Sequence, residues 1–84
     1  MNAKDIIIEA MKVRGYNQTI LADKAGLKRQ TNVSEMLRSK SMRVDNFVLL
    51  LNSMDFDVIV KGKNGTGTIQ WLVGDNIVKV DQAD

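Results

Sequence analysis

The sequence predicts a mainly α protein with a C-terminal β meander, an α+β chain of four helices followed by two to three antiparallel strands. Three observations carry this. Apolar residues recur at i, i+3 and i+4 spacing from Ile6 to Met54. Glycines close the first two periodic segments, where a left-handed residue stops a helix. Beyond Asp55 the period changes, and β-branched and aromatic residues gather in short runs between turn residues.

Asn2 caps a first helix, with Asp5 three residues on in capping-box spacing. Ile6, Ala10 and Val13, with Ile7 and Met11, form its apolar stripe, and Gly15 ends it. Asn17 caps a second helix over 18–25 that buries Leu21, Ala22 and Ala25 and stops at Gly26. A third begins at 29–30 and runs to about Ser39, burying Val33, Met36 and Leu37; residues 39–42 connect it onward. A fourth, over 44–54, buries Val44, Phe47, Val48, Leu51 and Met54, with Asp45 favourably placed in the first turn of its dipole. Strands are expected over 56–61, 68–73 and 76–80. GKNGTG at 62–67 turns between the first two, and Gly74-Asp75 makes a tight turn before the third. Ile69, Trp71 and Val73 share one strand face, with Gln70 and Leu72 on the other.

Composition narrows the function. Eighty-four residues suffice for one domain. The absence of Cys removes disulfides, thiolate metal sites and cysteine catalysis, and the absence of His removes the side chain best suited to proton transfer near neutrality. Asp5, Glu9, Asp23, Asp45, Asp55 and Asp57 are scattered, mostly at element ends, and make no acid–base set. The segment 62–67 has the spacing of half a phosphate loop but lacks the lysine and a following helix. The longest apolar run, 47–51, is far short of the roughly 20 residues of a membrane span. Lys4, Asp5 and Glu9 argue against a secretory signal. The expectation is a cytoplasmic binding protein, not an enzyme, with no cofactor, no metal and no membrane partner.

Charge is unevenly distributed. Between residues 24 and 43 lie Lys24, Lys28, Arg29, Arg38, Lys40 and Arg43 against one acid, Glu35, a net of +5 that leaves −3 on the rest. Such a cluster is either a solvated face or the footprint of a polyanion partner. Under the second reading the acidic tail Asp81–Asp84 keeps the opposite end of the molecule off the phosphates.

The helix context favours the second reading. Two short helices joined by a tight Gly-containing turn, the second basic on its exposed side, form a helix-turn-helix pattern. Ala22 must be small because the next helix crosses close to it, and Gly26 supplies the turn. Val33 and Leu37 hold the recognition helix so that residues 30, 31, 34, 35 and 38 point outward. A helix of about 10–12 Å diameter fits a major groove about 12 Å wide. The pattern Gln18-x-x-Leu21-Ala22-x-x-x-Gly26-Leu27, then Val33-Ser34-x-x-Leu37, then a helix ending in LNSMDF at 51–56, resembles the Cro/phage-repressor (Xre-type) helix-turn-helix family over roughly residues 4–56. The chain departs from the common pattern in a stretch from Gly26 to Val33 one residue longer, and in Asp55 where the family often has Gly.

This resemblance implies a lambda-repressor-like bundle and a dimeric bacterial or phage transcription regulator, some relatives being antitoxins. It implies base contacts from Gln30, Thr31, Ser34 and Glu35, and phosphate contacts from Gln18, Asn32 and Arg38. The chemistry agrees: Gln pairs with adenine, Thr offers hydroxyl or methyl, and Glu accepts from cytosine. Lys28, Arg29, Lys40 and Arg43 flank the recognition helix and reach the DNA backbone, adding affinity without sequence information. Plainer roles stand beside these: Gln18 as a solvated first-turn residue, Glu35 paired with Arg38 or Ser39, and Arg43 neutralising Asp45 or Asp5.

Residues 1–56 are then the helix-turn-helix DNA-binding domain, and 57–84 a strand extension with an acidic tail in the same compact unit. One motif copy makes few contacts, whereas a two-fold dimer presents two recognition helices about 34 Å apart to a palindromic operator. The expected interface is Ile69, Trp71, Val73, Ile77, Val78 and Val80, by strand pairing or face packing. The alternative is that Trp71 covers the first and fourth helices of its own chain. A toxin is a further possible partner, and a protein-interaction module on the same scaffold is the competing class.

Overall fold

The computed structural model describes residues 1–63 and 69–74, and shows four helices and a two-stranded antiparallel sheet. Local chemistry sets the helix ends. Before α1 (Ala3–Arg14), the Asp5 N–H donates to Asn2 Oδ1 at 2.9 Å, and the Asn2 N–H donates to Asp5 Oδ2 at 3.4 Å. Gly15 ends α1 at φ 73°, and the Tyr16 N–H returns to the Met11 carbonyl. Asn17 caps α2 (Gln18–Lys24) by accepting the Ile20 N–H at 2.8 Å. Then follow α3 (Gln30–Arg38) and α4 (Val44–Ser53). Asp55, at φ 64°, takes the left-handed turn out of α4, a conformation Asp tolerates better than most side chains.

The core lies where the helices meet. Ile7 and Ala10 from α1, Leu21 and Ala22 from α2, Val33 and Leu37 from α3, and Leu50 and Leu51 from α4 join Met54 in one buried cluster. Full burial of Ile7, Leu21, Val33, Leu50 or Met54 contributes about 1.5–3 kcal/mol each. The helical periodicity overreached at two ends. Val13 is 68% exposed and Val44 67% exposed, and Ile6 is also exposed. Val13 stands in the last turn of α1 and Val44 opens α4, positions where a stripe continues past the helix that covers it. Conversely, Leu50 lies outside the expected stripe yet is fully buried, because α4 is covered on more than one side. Ala25, Met36 and Phe47 are half-buried, packed against the core's margin.

Arg14 joins α1 to the end of α4. Its Nε donates to the Met54 carbonyl at 2.7 Å, one terminal nitrogen donates to the Asp55 carbonyl at 3.2 Å, and its guanidinium lies 4.4 Å from the Phe56 ring centroid. Two carbonyls at a helix C-terminus thereby gain a cationic donor.

The strands are shorter than expected: β1 (Val58–Lys61) pairs antiparallel with β2 (Gln70–Val73), Val58 opposite Val73 and Val60 opposite Trp71. Opposed residues share a face, so Val58, Val60, Trp71 and Val73 lie on one side and Ile59 and Leu72 on the other. The hairpin is anchored at its base. Val58 packs against the core, and Gly74 lies so close to α4 that a Cβ there would collide with Val48 Cγ1 and the Asn52 side chain. Trp71, 64% exposed, does not cover the helices of its own chain. The expected strand over 76–80, with Ile77, Val78 and Val80, lies outside the described residues. Among the described residues no helix is long and apolar enough to cross a membrane.

Candidate nucleic-acid interface

The turn between α2 and α3 is built by its backbone. The Leu27 N–H donates to the Ala22 carbonyl at 2.8 Å and the Gly26 N–H to the Asp23 carbonyl at 3.1 Å. Gly26 sits at φ 75°, with nothing within 4 Å of where its Cβ would be, so glycine is needed there for its backbone angle and not for space. Ala22 is buried at the crossing, and Leu27 packs onto the core's edge. Val33 and Leu37 are the buried side of α3, which leaves Thr31, Glu35 and Arg38 exposed on the opposite side. Gln30 opens α3, and its side chain lies outside the described part of the structure.

One contact had no sequence signature. The Ser34 hydroxyl donates to Gln18 Oε1, joining the first residue of α2 to the middle of α3 across 16 positions. Both residues are half-buried. Gln18 is thus more than a solvated first-turn residue: its carbonyl holds Ser34 while its NH2 keeps two further donor hydrogens. Ser34 spends its proton inward and keeps lone pairs only. Asn32 is also half-engaged, because its Oδ1 accepts the Arg29 N–H at 3.2 Å and so caps α3 from within its first turn.

The cations are distributed as the sequence suggested. Lys28 and Arg29 precede α3, Arg38 closes it and Lys40 follows, all four exposed, and among the described residues none has an acid within ion-pair distance. Arg43 does pair, with Asp45 at 3.9 Å, but both side chains are more than three-quarters exposed, a weak association in water. The Glu35 carboxylate is exposed and makes neither of the contacts considered for it; only its backbone carbonyl takes the Ser39 N–H.

Beside α3 runs a cleft of about 270 Å³ toward the start of α4, lined by Asn32, Glu35, Ser41, Met42, Arg43 and Asn46 among others. Ser41 and Asn46 were not singled out in the sequence. Asn46 sits three positions after Arg43 at the opening of α4, which is the signal that could have drawn attention to it. The 39–41 connection is held by the Ser39 hydroxyl, which donates to the Ser41 carbonyl at 3.0 Å and accepts the Ser41 N–H at 3.3 Å. Arg38, Lys40 and Arg43 therefore leave a shaped turn.

Compared with known proteins, the chain matches no family model, no curated protein and no solved structure.

Proposed function

We propose that the chain is a sequence-specific double-stranded DNA-binding transcription regulator of the repressor type, a lambda-repressor-like helix-turn-helix protein that inserts α3 into the major groove. The observation that carries this reading is the setting of α3. Its outer side is exposed between Lys28 and Arg29 at one end and Arg38 and Lys40 at the other, while Val33, Leu37 and the Ser34–Gln18 bond fix its inner side. A rigid rod with readable side chains on its crest and cations at both ends suits a duplex, whose phosphates flank its base edges.

In this reading Gln30, Thr31 and Glu35 face base edges, and Ser34 approaches them through its lone pairs. Gln18, through its amide NH2, joins Lys28, Arg29, Asn32, Arg38, Lys40 and Arg43 on the backbone. The chain acts as a homodimer on a palindromic site, and its activity is occupancy, not catalysis. Selection of bound sequences from random duplexes tests it: a palindromic consensus is expected, and Glu35→Ala should relax preference at one position per half-site. Recovery of duplexes without any consensus contradicts the reading.

The exposed hairpin supports a second reading, an antitoxin-type regulator or protein-interaction module on the same scaffold. Ile59, Val60, Ile69, Trp71 and Leu72 are all exposed there, an apolar surface that a protein partner can cover. Sedimentation of the isolated chain separates the interaction module from both regulator readings, since a partner-dependent module remains monomeric alone.

A further inference from the structure

The hydrogen bonds inside the helix-turn-helix leave its polar side chains with one-sided chemistry. The Ser34 hydroxyl has a single proton and gives it to Gln18 Oε1, so Ser34 offers any further partner lone pairs only. A free serine hydroxyl turns to donate or accept as its partner requires, and the bond to Gln18 removes that freedom. Donation also strengthens the same oxygen as an acceptor, because successive hydrogen bonds polarise one another. Glu35, the next residue and exposed, adds a carboxylate whose oxygens accept. Gln18 and Asn32 are the converse. Their side-chain carbonyls take the Ser34 hydroxyl and, at 3.2 Å, the Arg29 N–H, which keeps their NH2 donors for other partners.

A duplex sorts these groups. Phosphate oxygens accept, so they suit the donors of Gln18 and Asn32 and offer nothing to Ser34 or Glu35. Base edges differ. In the major groove adenine N6 and cytosine N4 carry amino hydrogens, whereas guanine and thymine present acceptors and a methyl group. Each base pair therefore holds one amino group there, and its position across the groove depends on which base stands on which strand. An acceptor-only side chain is satisfied where it meets that amino group and is left against lone pairs where it does not.

We propose that Ser34 is a specificity-determining residue that accepts a hydrogen from the exocyclic amino group of an adenine or cytosine, and that Gln18 sets this choice from α2 by holding the Ser34 proton. This rests on the DNA-binding reading and deepens it by naming the base chemistry that α3 selects. Gln18 thus acts on base choice without touching a base. Glu35, one position on, has the same polarity, so the middle of α3 reads amino groups twice.

The test takes two measurements on the intact chain. Selection from random duplexes with the wild type and with Ser34→Ala finds the position whose preference only the variant relaxes. Binding is then measured on the selected site and on a copy that lacks the amino group there, with unsubstituted purine in place of adenine or 2-pyrimidinone in place of cytosine. Gln18→Ala and Gln18→Glu join the comparison, and far-UV circular dichroism checks that every variant keeps its helices. Deleting the amino group should weaken the wild type at least about tenfold. It should weaken Ser34→Ala by less than about twofold, the altered pairing of the analogue being common to both and cancelling in the cycle. Gln18→Glu keeps an acceptor for the Ser34 proton but puts a carboxylate beside phosphate. It should bind every sequence more weakly and retain the full amino-group sensitivity. Gln18→Ala frees the proton and should lose most of that sensitivity. A consensus in which Ser34→Ala relaxes no position, or equal sensitivity in the wild type and Ser34→Ala, overturns the inference and leaves the DNA-binding reading standing. Sensitivity undiminished in Gln18→Ala, or lost in Gln18→Glu, likewise overturns it. Recovery of no consensus by the wild type overturns both.

Discussion

The Ser34 hydroxyl on α3 donates its proton to the side-chain carbonyl of Gln18 at the start of α2. The bond fixes how far α3 can roll about its own axis, which decides which side chains its crest presents. Ser34→Ala removes this bond and should cost about 0.5–1.5 kcal/mol in urea unfolding. It also removes the lone pairs that approach base edges, so its DNA affinity should fall and its base preference should relax. Gln18→Ala removes the bond and an amide directed at phosphate, so it should flatten the salt dependence of binding, which Ser34→Ala should not. A salt slope unchanged by Gln18→Ala would mean that Gln18 acts only through Ser34.

Gly26 should be intolerant of side chains for a backbone reason alone. With φ at 75° and open space around it, Gly26→Ala should destabilise by roughly 1–2 kcal/mol. Gly26→Asn should cost less, because Asn visits the left-handed region more readily. Thermal unfolding of both variants is the check, and equal losses would point to a steric cause instead.

Arg14 is expected to hold the end of α4 to α1. Arg14→Ala removes two charge-assisted hydrogen bonds and the contact with Phe56, a loss of about 1–2 kcal/mol allowing for partial solvent access. Arg14→Lys should recover less than half, since an ammonium cannot reproduce the planar fork. Urea unfolding of both variants measures this.

Much of this architecture is local and therefore readable along the chain. Asn2 with Asp5, Asn17, Gly15 and Gly26 each act within four residues, and each behaves as its spacing predicts. Coverage between elements is not local. Val13 and Val44 have the right period but stand where no neighbouring helix covers them, and Leu50 is buried for want of any exposed side on its part of α4. In the candidate interface, the exposed Thr31, Glu35 and Arg38 follow from the burial of Val33 and Leu37. The Ser34–Gln18 bond does not, because no periodicity relates two residues on different helices. The sequence marks Gly74 as a turn residue; its close approach to Val48 and Asn52 depends on where the hairpin lands.

Trp71 is the only tryptophan and is 64% exposed in the single chain. Its fluorescence should report assembly: emission should shift to the blue as protein concentration rises through the dimer constant. An emission maximum independent of concentration over the range in which sedimentation detects dimer would place Trp71 outside the interface.

The most direct test of the central claim is the salt dependence of duplex binding. The observed constant should fall with salt at a slope near −0.9 per phosphate neutralised, and Arg38→Ala should flatten that slope by about one unit. Thr31→Ala should leave the slope unchanged while altering base preference. Failure to bind any duplex at low salt, or a slope indifferent to Arg38, would contradict the assignment of α3 and its flanking cations to DNA.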